Sequence, residues 1–85
     1  MKQIDIPDIL KAIREADTSA DVDNLKTDQD LFKQGLDSLD MMNVFFNLEE
    51  TYSLKIDENS LDINRWSTIN EIVSNINEIL KSRQS

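Results

Sequence analysis

Neither cysteine nor histidine occurs in these 85 residues, which narrows the chemistry open to them. Without them the chain lacks a thiol nucleophile, the usual general base and the usual zinc ligands. Self-contained catalysis is therefore not expected, and no catalytic residue is assigned. Acids and hydroxyls remain. The series Asp17, Asp21, Asp23, Asp28 and Asp30 suggests a calcium loop until its spacing is read. Counted from Asp17, the position that needs glycine is Val22; counted from Asp21, the closing glutamate is Phe32. No metal site is assigned either. Among the hydroxyls Ser38 stands out, inside GLDSLD and directly before an apolar run. It has no histidine or lysine arranged as a base, so a hydrolase reading fails. A serine at a helix start is ordinarily the N-cap, but Asp37 stands before it and can take that role. Gly35 permits a left-handed turn ahead of it. A hydroxyl so placed is accessible, and a phosphate on it would meet the free amides at the helix start.

The elements that must position Ser38 follow from periodicity. One glycine, one proline and no alternating β-branched runs leave too few turn signals for an all-β chain. Ile6, Ile9, Leu10, Ile13 and Ala16 fall on one helical face, opened by Asp5 and Pro7. A second helix runs from Ser38 to about Ser53, and Asp57 caps a brief third one carrying Leu61. A last helix, with Ser67 or Thr68 as cap and Thr68 and Glu71 at capping-box spacing, buries Ile69, Ile72, Val73, Ile76, Ile79 and Leu80. The predicted fold is all-α: a small four-helix bundle of three main helices and one short one, at about 5–16, 38–53, 57–63 and 67–81, in one domain over residues 1–85. The segment between the first two helices exceeds the usual connection of about 4–6 residues, so it is expected to be pinned to the core by Val22, Leu25, Leu31 and Phe32.

The second helix holds more apolar residues than one buried face needs. At about 100° per residue, Met41, Val44, Phe45, Leu48 and Tyr52 form a core face, while Leu39, Met42 and Phe46 gather roughly 140° away. Burial on most sides of a central helix is one account of the surplus. An exposed strip read by a partner is the other, and charge favours it. Residues 1–35, 36–65 and 66–85 carry net charges of −3, −5 and 0 within the total of −8, so the excess acidity gathers around this strip. Acidic rims steer basic protein partners and disfavour nucleic acid and anionic lipid. The N-terminal stretch lacks a signal-peptide core and no run reaches membrane-spanning length, so a cytoplasmic monomer without membrane insertion is expected.

From Asp30 to Ile56 the stretch DLFKQGLDSLDMMNVFFNLEETYSLKI resembles the signature region of the acyl carrier protein family, and the helix pattern on either side agrees with that family's four-helix bundle. The resemblance implies that Ser38 receives 4'-phosphopantetheine from coenzyme A through a phosphopantetheinyl transferase, and that the arm's thiol holds acyl groups as thioesters. The serine is then a substrate rather than a catalyst, and the sulfur that the chain lacks arrives with the cofactor. The resemblance further implies that partner enzymes of acyl-transferring, ketosynthase or ligase type, with basic docking surfaces, read the second helix. Leu39, Met42 and Phe46 serve there as apolar contacts, and Asp37, Asp40, Glu49 and Glu50 as acidic ones. Asn43, Asn47, the Phe45–Phe46 pair and Trp66 depart from the usual pattern and point to a specialised carrier. Fatty-acid, polyketide and related cargoes stay open beside D-alanyl, aminoacyl or aryl ones, and an unmodified helical interaction domain is the rival reading.

Overall fold

Three helices and two 3-10 turns make up the computed structural model, which describes residues 3–16, 21–56 and 65–82. Helix α1 spans Ile6–Glu15, α2 Ser38–Tyr52 and α3 Ile69–Ser82. No strand occurs among the described residues, so the fold is all-α. The short helix expected at 57–63 lies outside the described residues.

Each helix begins where its sequence offers an acceptor for the free first amides. Asp5 caps α1, with its Oδ1 accepting from Ile6 N (2.8 Å) while Asp8 Oδ2 accepts from Asp5 N (2.8 Å). Thr68 Oγ1 accepts from Glu71 N (3.1 Å), which makes Thr68 the cap and starts α3 at Ile69, two residues after the start expected at 67. Helix α2 stops at Tyr52 because Ser53 turns left-handed (φ 52°), donating its amide to Glu49 O.

Helix α1 packs against both α2 and α3. The core between them holds Ile9, Ala12 and Ile13 of α1, Met41, Val44, Phe45 and Leu48 of α2, and Ile69, Ile72 and Ile76 of α3. Phe45 meets Trp66 edge to face, with ring centroids 5.5 Å apart and planes at 75°. The side-chain amide of Asn77 brackets the backbone of Ile4, accepting from its N–H (2.8 Å) and donating to its carbonyl (3.0 Å), so the N-terminal segment is tied to α3. The Tyr52 hydroxyl is held protonated above its ordinary range by burial, and by the Asp8 carboxylate to which it is hydrogen-bonded.

The connection between α1 and α2 belongs to the core. Leu31 is fully buried, and Val22, Leu25 and Phe32 pack on the core beside it, as their positions predict. Buried Leu36 joins them, which periodicity did not single out. Backbone bonds close the connection onto the start of α3: Leu31 N donates to Ser67 O (2.7 Å), and Asn70 N to Thr27 O (3.0 Å). Gln34 staples it from within, its amide nitrogen donating to the carbonyls of Lys26 and Gln29 (both 3.0 Å) and its oxygen accepting from Lys26 N (2.7 Å).

Candidate functional site

The chain reaches Ser38 through the 3-10 turn Leu31–Gln34, which Asp30 caps by accepting from Phe32 N (2.9 Å). Gly35 then takes φ 109° and donates to Leu31 O, a left-handed conformation that costs a residue with a Cβ about 1–2 kcal/mol. Leu36 drops into the core, and the following residue turns outward as the cap of α2.

That cap is Asp37. Its Oδ1 accepts from Asp40 N (2.8 Å), and Asp40 Oδ2 returns a bond to Asp37 N (3.2 Å), closing a reciprocal capping box. Ser38 is therefore the first residue of the helix, exposed, and its hydroxyl has no partner among the described residues. The cap that a serine ordinarily supplies comes from its neighbour, so the Ser38 hydroxyl takes no part in capping α2. A phosphodiester on Ser38 Oγ would project into solvent from the positive end of a 15-residue helix, a placement worth about 0.3–1 kcal/mol to an anion when exposed. The residues present thus fit a phosphate-linked prosthetic group.

The two apolar groups of α2 separate as their spacing requires. Met41, Val44, Phe45 and Leu48 are buried and Tyr52 is half-buried, whereas Leu39 is 70% exposed, Phe46 48% exposed and Met42 half-buried between them. The account that buries α2 on most sides is not what the structure adopts. The acidic residues around the strip differ from one another. Asp37 and Asp40 hold the capping box, and Glu49 Oε2 accepts from Ile56 N (2.8 Å), whereas exposed Glu50 has no partner among the described residues. Asn47 donates to Glu15 Oε2 and accepts from Thr51 Oγ1, both at 3.4 Å, and so faces α1. The roles of Glu49 and Gln34 were not visible in the sequence, because each bonds backbone that only the folded loops bring within reach.

Residues 8–76 match the family described as the phosphopantetheine attachment site. This chain is an acyl-carrier-family protein. The nodulation protein F of Rhizobium leguminosarum bv. viciae is 36% identical to it over 64 residues, which span 75% of this chain and 67% of the relative. Phosphopantetheine is accordingly the prosthetic group of this carrier, and when attached it supplies the thiol on which an acyl group is carried. Beside this the structure has a helix start capped by Asp37 and Asp40, with Ser38 next to the cap and outside it. Among the described residues no helix is long and apolar enough to cross a membrane.

Proposed function

We propose that Ser38 is the residue that carries the phosphopantetheine arm, that the protein is itself non-catalytic, and that it presents acyl thioesters to separate enzymes. The observation that carries this reading is the exposed hydroxyl of Ser38, without a partner among the described residues, beside a helix cap supplied by Asp37 and Asp40. A phosphopantetheinyl transferase loads the arm, and acyl-transferring, ketosynthase or ligase-type enzymes then use it. These partners meet α2 at Leu39, Met42 and Phe46, bordered by Asp37, Asp40, Glu49 and Glu50. The protein works as a single-domain monomer in the cytoplasm.

The pathway is a specialised one rather than bulk fatty-acid synthesis. Two observations support this: the amides Asn43 and Asn47 dilute the acidity of α2, and the chain is similar to a protein named for nodulation. Intact-mass spectrometry after incubation with coenzyme A, magnesium and a broad-specificity phosphopantetheinyl transferase tests the site. Wild type gains one phosphopantetheine and Ser38→Ala gains none. An unmodified wild type would return the protein to the interaction-domain reading, and a modified Ser38→Ala would place the arm elsewhere. For the pathway, housekeeping fatty-acid enzymes are offered the loaded protein beside their own carrier. Equal processing of the two counts against specialisation.

A further inference from the structure

Both donors of the Gln34 side-chain amide are engaged within the loop that leads to Ser38. Its Nε2 donates to the carbonyls of Lys26 and Gln29, both at 3.0 Å, and its Oε1 accepts from Lys26 N at 2.7 Å. The partners fix which end is which, because a backbone N–H needs the oxygen and two carbonyls need the two hydrogens. A glutamate at this position would set a carboxylate against two carbonyl oxygens, and a lysine would leave Lys26 N without its acceptor. Beyond Lys26 the loop is held from outside as well. Asn70 N donates to Thr27 O at 3.0 Å and Leu31 N to Ser67 O at 2.7 Å, so the start of α3 grips the same stretch that Gln34 grips from within.

On the other side of Gln34 the chain has little slack. The left-handed Gly35 comes next, then buried Leu36, then Asp37 with the cap, then Ser38. The amides of Gly35 and Leu36 both donate to Leu31 O, the latter at 3.2 Å, which ties these residues back to the gripped stretch. We infer that Gln34 is a positioning residue for the modification of Ser38. Its amide fixes the loop against the start of α3 and so sets the direction from which Gly35 and Leu36 deliver the helix start. This rests on the modification of Ser38 proposed above and adds to it a residue that acts through the loop. Loss of the staple leaves the exposed surface of α2 as it was and displaces the reacting oxygen. Transfer within the enzyme–carrier complex then slows, while the affinity of the two proteins changes little.

Steady-state transfer of phosphopantetheine onto the unmodified protein, well below the melting temperature of each variant, separates positioning from contact. Gln34→Leu, which loses all three bonds, lowers kcat about tenfold and leaves KM within about twofold of wild type. Gln34→Glu and Gln34→Lys, opposite in charge, both lower kcat, since each loses part of the staple. Gln29→Leu is the control: Gln29 enters the staple through its backbone carbonyl, which the substitution keeps, and kcat stays at the wild-type value. Hydrogen exchange reads the loop with no enzyme present. In wild type the Lys26 amide is protected although residue 26 lies in no helix. In Gln34→Leu the amides of Lys26, Gly35 and Leu36 exchange about tenfold faster or more, while those of Ile72 and Ile76 in α3 keep their wild-type rates. The inference is overturned by an unprotected Lys26 amide in wild type or by an unchanged kcat in Gln34→Leu. Opposite effects of Gln34→Glu and Gln34→Lys also overturn it, because they would make residue 34 a charge contact for the enzyme. Each of these outcomes leaves the carrier reading intact. Failure of wild type to accept any phosphopantetheine would remove both.

Discussion

At Asp37 and Ser38, two adjacent side chains that are both good helix caps divide the work. The aspartate accepts the Asp40 amide, and the serine is left exposed and without a partner among the described residues. A carboxylate is the stronger acceptor at the positive end of a helix, and once it holds the third amide of α2 the serine is displaced into the first turn. The division has a stability signature. Asp37→Ala is expected to cost about 1 kcal/mol, which for a domain of this size lowers the melting temperature by about 4–8 °C. Ser38→Ala is expected to stay within about 0.5 kcal/mol of wild type, because it removes no bond. Urea or thermal unfolding of the two variants decides the matter. An equal loss in both would make the serine the cap and withdraw the case for its freedom.

Among the elements, the connection from Asp21 to Asp37 does the least expected work. It has the composition of a loop, yet it contributes Leu31 and Leu36 to the core and bonds the start of α3 through Leu31 N and Thr27 O. The connection is thus a structural element that aims the helix start carrying Ser38, by way of Gln34 and the left-handed Gly35. Leu31→Ala is expected to cost about 2–5 kcal/mol, as for a residue inside a helix core. Hydrogen exchange supplies the companion reading: the amides of Leu31 and Asn70 exchange as slowly as those in the middle of α3. Fast exchange there, with a small cost for Leu31→Ala, would show the connection to be a tether only. Of this arrangement the sequence disclosed the apolar pins but not the staple. Leu31 and Phe32 are apolar in a polar stretch and announce themselves, whereas Gln34 is unremarkable until the carbonyls of Lys26 and Gln29 stand beside it.

For the molecule as a whole, a charge of −8 is confined within a radius of gyration of 12.0 Å. At about 0.1 M salt the screening length is about 10 Å, so below that the acidic groups repel one another across the entire fold. Among the described residues few of these acids have a cationic partner. The ion pairs among the described residues are Lys11–Glu15 (3.8 Å) and Arg14–Asp23 (2.9 Å), both exposed. The melting temperature is therefore expected to rise as NaCl increases from about 10 to about 200 mM, where repulsion is being screened faster than the exposed pairs are weakened. A melting temperature that stays flat or falls over this range would mean that local pairing and caps already neutralise the field.

The helical class, the one-sided faces of α1 and α3, the split of α2 into a core face and a surplus strip, and the singular position of Ser38 were all legible in the chain. Each rests on spacing along a single element, and a helix of fixed pitch turns spacing directly into direction. Tertiary structure alone decided which of the two glutamates near the end of α2 is engaged. Glu49 and Glu50 look alike as neighbours on one helix, yet Glu49 finds the amide of Ile56 only after the chain has turned at Ser53, and Glu50 finds no partner among the described residues. The same holds for Leu36, buried beside a site that is otherwise exposed, and for Gln34. A hydrogen bond between residues on different elements depends on how those elements pack, and that packing is set by the whole core at once rather than by any local pattern.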